Sequence, residues 1–403
     1  MLLVFYASSK ADIFVENYRM GTNAIEGIKL ELPEPKTLYL SAKAFENMKR
    51  LRLLIFRNVV ISTAVEDLPT QLRYIDWPGY QFPTLPFNPG PKQLVILNMP
   101  HSHIHRLGEG FKVHSLCSRK FRFCSSFVLL FCCNLSILPS SLRPKSLRTL
   151  NFANCSRLES FPNIFPEMKN LRKLYLCATS VKELHPSIQH LVGLEVLDLA
   201  YCKKLMHIPT SVYKLHNLEH LGLGGCSNLS LFPKSMASSG TYKHLQFAEL
   251  LPIVFQMLPE SCLDCPFPKL KFLDLQNCNL SEVDFLMTPN GFHNLQMLNL
   301  AENKFASLPS FVQLSKLSNL NLTKCELLRD IPELPQSLRD LDVSDCKLLL
   351  EINGNEKRYC QALRNETPVT SEDMQQTLSS SDADDHLSQS RGTISDKGKG
   401  FAG

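Results

Sequence analysis

The chain has 403 residues, 44% of them hydrophobic, and a formal net charge of +5. That composition is globular and long enough to bury a large core without staples, and its Lys and Arg are scattered among matching acids, unlike a nucleic-acid footprint. No stretch reaches the roughly 18 uninterrupted apolar residues of a membrane span, and the opening MLLVFY lacks the basic region of a secretory leader, so the 14 cysteines are read as thiols of a reducing compartment.

From Leu51 onward one string, L-x-x-L-x-L, recurs. It reads LRLLIF at Leu51, LRYIDW at Leu72, LVILNM at Leu94, LRTLNF at Leu147 and LRKLYL at Leu171. It continues as LEVLDL at Leu194, LEHLGL at Leu218, LKFLDL at Leu270, LQMLNL at Leu295, LSNLNL at Leu317 and LRDLDV at Leu338. The uninterrupted spacings run from about 21 to 25 residues, inside the range of roughly 20–29 typical of leucine-rich repeats. Two longer gaps each leave room for a degraded unit, with Phe127 and Leu129 in register in one and Leu245 and Phe247 in the other. About 13 repeats are therefore expected over 28–352, degenerate near 108–131 and 234–262, with 1–27 as a preceding junction. The tail 353–403 is polar, rich in Ser and Asp, and has the composition of a disordered segment.

The spacing predicts an α/β solenoid: a curved horseshoe with a parallel β-sheet on its concave face and an irregular or short-helical convex side. With the opening leucine as position one, positions four and six lie two apart and share a face of a strand. One unit cannot bury that face alone, and stacked units make a continuous core. Position nine holds Cys155, Cys202, Cys226, Cys278, Cys325 and Cys346, with Thr179 and Asn303 in the same slot. A small residue with a polar hydrogen suits a turn whose carbonyls need donors, whereas metal ligands would not alternate with Thr. Many return segments follow C-x-x-L-x-x-[FIL]-P, as in Cys202–Leu205–Ile208–Pro209.

Chemical motifs are sparse. Cys262 and Cys265 form a lone C-x-x-C without a second pair. His101, His103 and His105 alternate in HSHIHRL, but Ile104 must enter the core at that step, which leaves the histidines flanking it in solvent. The candidate site is instead the row of side chains at positions three and five, which point away from the core. Position three contributes Lys173, His220, Phe272, Met297, Asn319 and Asp340, and position five contributes Tyr175, Asp198, Asp274, Asn299 and Asp342. The row runs from a basic end, through Tyr175, Phe272 and Met297 as exposed anchors, to an acidic end.

Three stretches carry a family resemblance: GTNAIEGIKLEL with LSAKAFENMKRLRLLIF, then LPTQLRYIDWPGYQFPTLPFNPGPKQLVILNMPHSHIHRL, then the C-x-x-L-x-x-[FIL]-P units. Over roughly 12–352 the chain resembles the leucine-rich-repeat region of plant intracellular disease-resistance receptors of the class carrying a Toll/interleukin-receptor domain. The resemblance implies a sensor that binds a pathogen effector or a guarded host protein, takes part in defence signalling, and rests against a nucleotide-binding domain in a longer receptor. It implies a cytoplasmic location, with the nucleus as a second. The chain has no G-x-x-x-x-G-K-[ST] loop, so no phosphate cradle or cofactor is expected, and NAD cleavage would belong to a domain outside it. The alternative is a free-standing repeat scaffold, decoy or adaptor.

Overall fold

In a computed structural model the recurring string becomes a parallel sheet. The structure describes residues 2–6, 23–87, 91, 94–107, 125–139, 147–206, 208–229, 267–281, 283, 286, 292–331, 333–349 and 351–352. All of these fall in the first of two contact units, Met1–Glu356 and Lys357–Gly403. The sheet has 14 strands in an order that follows the chain. It opens with β1 (Leu2–Tyr6), β2 (Gly27–Leu38), β3 (Leu53–Ile61), β4 (Tyr74–Asp76) and β5 (Ile96–Asn98). Then come β6 (Ser125–Val128), β7 (Leu147–Asn151), β8 (Lys173–Tyr175), β9 (Val196–Asp198) and β10 (His220–Gly222). It closes with β11 (Phe272–Asp274), β12 (Met297–Asn299), β13 (Asn319–Asn321) and β15 (Asp340–Asp342), while β14 (Asp330–Ile331) and β16 (Glu351–Ile352) pair separately on the return side.

Most repeat strands are three residues long, with the middle residue buried and the flanking two part-exposed. That alternation follows from the period of two. Leu174, Leu197, Leu221, Leu273, Leu298, Leu320 and Leu341 sit opposite one another in successive pairs. Each fully buried leucine contributes roughly 1.5–3 kcal/mol. The return segments close the core from the other side: Leu205 and Leu328 are fully buried, and Ile208 and Phe161 nearly so. Short 3₁₀ turns at Pro166–Met168, Pro186–His190 and Thr210–Lys214 stack there. Proline at the start of the first two presets φ for the turn.

The ladder of hydrogen bonds runs on beyond the strands. The amide at position six donates to the position-five carbonyl of the next turn, as in Leu176 N to Asp198 O (2.8 Å), and the amide at position eight to the next position-seven carbonyl, as in Ala178 N to Ala200 O (2.7 Å). Reaching that partner puts position eight in the left-handed region, at Asn154, Ala178, Tyr201, Gly225, Asn277 and their equivalents. Position nine behaves as its residue types predict. Its thiol donates to the position-six carbonyl of the preceding turn: Cys155 Sγ to Leu129 O (3.0 Å), Cys202 to Leu176 (3.1 Å), Cys226 to Leu199 (3.1 Å) and Cys278 to Leu223 (3.2 Å). Asn303 Nδ2 does the same to Leu275 O (2.8 Å), whereas Thr179 turns its hydroxyl to Leu176 O of its own turn (2.7 Å).

Residues 2–6, read as part of a junction ahead of the repeats, form β1, which joins the sheet by pairing Leu2 with Gly27. The gap before Leu270 adds no strand between its neighbours: β10 pairs directly with β11, His220 opposite Phe272 and Gly222 opposite Asp274. Leu245 and Phe247 themselves lie outside the described residues. The other degraded unit does form a strand, β6, with Phe127 and Leu129 in the core. Residues 108–124, the Cys262/Cys265 pair and the tail from 353 also lie outside the described residues.

Candidate functional site: the open face of the sheet

The sheet register brings the predicted row together. At position three Lys173 lies beside Val196, then His220, Phe272, Met297, Asn319 and Asp340 in turn. At position five Tyr175 lies beside Asp198, Gly222, Asp274, Asn299, Asn321 and Asp342. Adjacent strands are about 4.8 Å apart, so neighbouring side chains touch. The His220 and Phe272 rings stack with centroids 4.3 Å apart and planes 13° from parallel. Asn319 Nδ2 donates to Asp340 Oδ2 at 2.6 Å.

Tyr175, Phe272 and Met297, expected as exposed anchors, are part-buried instead, as are Lys173, His220 and Asn319; Asp340 is exposed. Mutual packing along the row covers them. The fifth-position polar residues carry a structural duty that sequence reasoning missed. Each bends over the strand end so that its side-chain oxygen accepts from the amide two residues on: Asp198 from Ala200 (3.0 Å), Asp274 from Gln276 (3.0 Å), Asn299 from Ala301 (3.2 Å) and Asp342 from Ser344 (2.9 Å). This is the Asx turn, and the recurrence of Asp and Asn at position five was its signal. A similar signal lay at position eight, where Asn154, Gly225, Asn277 and Asp345 are the residue types that best tolerate a left-handed backbone.

Glycines open the centre of the row. A β-carbon on Gly222 would lie 2.8 Å from Asp198 Oδ1, and one on Gly224 2.5 Å from Asp274 Oδ2. Both carboxylates therefore lean over the end of β10. Burial pushes the Asp274 carboxyl up to about 6, opposed by the Gln276 amide and reinforced by the charge of Asp198. Burial likewise raises Asp198. It drives the His220 imidazole down to about 4, leaving that ring neutral at pH 7. Beside them Ala153, Cys177 and Ala200 form a small buried stripe on which Leu130, Tyr175 and Tyr201 pack.

The N-terminal part of the same face is saturated with internal ion pairs. Arg57 donates from Nε (3.1 Å) and Nη2 (2.8 Å) to Asp76 Oδ2 and from Nη1 to Glu31 Oε1 (3.1 Å). Asn98 Nδ2 donates to Asp76 Oδ1 (3.1 Å), and Asp76 is 1% exposed. His101, His103 and His105 are exposed while Ser102 and Ile104 are buried, as the alternation predicts. Among the described residues no three His, Cys, Asp or Glu side chains are grouped to hold a metal, and no helix is long and apolar enough to cross a membrane.

The family model for leucine-rich repeats of the "Disease resistance protein RPS4B-like" kind matches residues 143–245, and a general leucine-rich-repeat model matches 93–112. Disease resistance protein RPS4B of Arabidopsis thaliana is 30% identical over 88% of this chain and 30% of its own length. The disease resistance-like protein DSC1 of Arabidopsis thaliana is 29% identical over 82% of this chain and 33% of its own. The chain carries a disease-resistance leucine-rich-repeat region. TMV resistance protein N of Nicotiana glutinosa is a further relative, 26% identical over 82% of this chain and 34% of its own length. The chain thus spans about a third of the length of these curated relatives. Toll, solved in the Toll–Spätzle complex of Drosophila, shares the fold at 19% identity, with a TM-score of 0.51 over 80% of this chain and 41% of that one. In this disease-resistance repeat region, the sheet face from β8 to β15 is the part where apolar and polar side chains meet in one unbroken register.

Proposed function

We propose that this region recognises a protein, either a pathogen effector or a guarded host protein, on the open face of strands β8–β15, and takes part in defence signalling. The observation that carries the reading is the continuous row Val196, His220, Phe272 and Met297, aromatic and apolar side chains held part-buried on a sheet and flanked by Lys173 and Asp340. Anchors already fixed by packing lose little conformational freedom when a partner covers them. Tyr175, Asp198, Asp274, Asn299, Asn319 and Asp342 complete the contact surface, with the polar members setting orientation. In a chain as long as its relatives, the same repeats would also rest against the nucleotide-binding domain.

The test is a paired capture. Wild-type chain and the triple variant Tyr175→Ser/Phe272→Ser/Met297→Ser, matched for melting temperature, are used as bait in plant extract and the bound proteins quantified. A specific partner should be lost, at least tenfold, with the triple variant and kept by Lys204→Ala, a change at an exposed return-side residue. Identical captures by all three baits would refute the reading.

A further inference from the structure

The ninth-position thiols form three stacks among the described residues: Cys132 with Cys155, Cys202 with Cys226 and Cys278, and Cys325 with Cys346. All are buried except Cys346, which is part-exposed. The slot does not require cysteine, since Thr179 and Asn303 fill it elsewhere. Cys325 and Cys346 each lie five residues beyond a paired leucine, Leu320 opposite Leu341. Adjacent turns at about 4.8 Å place their backbones inside the roughly 4.4–6.8 Å window that a disulfide needs between Cα atoms.

We propose that Cys325 and Cys346 form a peroxide-sensitive pair that closes to a disulfide tying the β13 turn to the β15 turn. The chemistry balances with hydrogen peroxide as the two-electron oxidant. The Cys346 thiolate attacks one peroxide oxygen, giving a sulfenic acid and hydroxide. The Cys325 sulfur then attacks the Cys346 sulfur, the S–O bond breaks, and the leaving oxygen takes a proton to depart as water. Cys346 is the first nucleophile because solvent reaches it and because the neighbouring Cys325 thiol holds its thiol below the ordinary range. Cys325 is pushed up by the same contact and by burial, and serves as the resolving thiol.

The fold tolerates the product. As thiols, Cys325 donates to Leu300 O (3.4 Å) and Cys346 to Leu322 O (3.1 Å). Both donors vanish in the disulfide, yet Leu300 O keeps Asn303 Nδ2 (2.9 Å) and Leu322 O keeps the Cys325 amide (3.1 Å). No buried carbonyl is orphaned. Cys132 and Cys155 are also in mutual contact, but both are fully buried, so peroxide has no path to them.

The full chain is treated with hydrogen peroxide, its free thiols are alkylated under denaturing conditions, and unreduced peptides are read by mass spectrometry. The expected result is a Cys325–Cys346 crosslink, two hydrogens lighter than the separate peptides and lost on reduction, with Cys202, Cys226 and Cys278 recovered as alkylated thiols. Cys346 recovered free, recovered as sulfinic acid, or joined to another cysteine such as Cys360 overturns the proposal. The variant Cys325→Thr, which copies the residue at position 179, removes the resolving thiol. It should fold, melt within a few degrees of wild type, and accumulate sulfinic acid at Cys346 several-fold above wild type. Equal oxidation of Cys346 in the two proteins would also overturn it.

Discussion

At Asp274 and His220 two part-buried groups pull the pH dependence of stability in opposite directions. Asp274 has an ordinary value near 3.8 and a folded value of about 6. Its contribution is fully present below 3.8 and is lost as pH rises through 6. His220 goes from about 6.5 to about 4, so its contribution is present above 6.5 and lost as pH falls through 4. Asn occupies the equivalent position at 151, 299 and 321 and makes the same turn there. Asp274→Asn should therefore keep the fold and stabilise it by about 1–3 kcal/mol at pH 7.5, since each tenfold change in proton affinity is worth roughly 1.4 kcal/mol, with the gain vanishing near pH 4. His220→Phe should preserve the stack on Phe272 and remove the loss between pH 6.5 and 4. Thermal melts from pH 4 to 8 decide it: a gain in Asp274→Asn that does not change with pH contradicts the account.

At the level of the single repeat, the strand core is what the turn cannot lose. Leu197 is fully buried between Leu174 and Leu221 in the register of β8, β9 and β10. Leu197→Asp puts an unpaired charge where no donor is at hand, a penalty of several kcal/mol. It should open β8–β10 to protease, and unchanged cleavage in that stretch would refute the register. This register was legible in the sequence because positions one, four and six repeat as leucine at a near-constant interval. The ninth-position donors were legible because Thr and Asn share the slot with Cys. The direct pairing of β10 with β11 was not legible, because the 52-residue interval from Leu218 to Leu270 leaves room for a further unit. Nor was the part-burial of Phe272 and Met297, which depends on what stands beside them in the neighbouring turns. The strand face could be located from period alone, while the turns made by Asp198 and Asp274 were signalled only by the recurrence of Asp and Asn at position five.

For the molecule as a whole, stability is a sum over turns and their neighbours, so distant ends need not melt together. The chain has one tryptophan, Trp77, fully buried, with Phe56 at 4.8 Å and Tyr80 at 5.0 Å edge-on to its ring. Its emission reports on the N-terminal turns. Leu320→Asp, in the core of β13, should lower the urea midpoint for proteolysis between residues 295 and 345 and leave the Trp77 emission midpoint unchanged. A common shift in both would mean that the array unfolds as one body. The join between β10 and β11 has a consequence of another kind. Glu219 and Lys271 meet at 2.8 Å although 52 residues separate them, against roughly two dozen between neighbours elsewhere. The sheet works as a ruler whose marks keep their distance however many residues separate them in the chain, so lineages or engineers could lengthen, shorten or replace the segment between β10 and β11 while the order of residues across the sheet stayed the same.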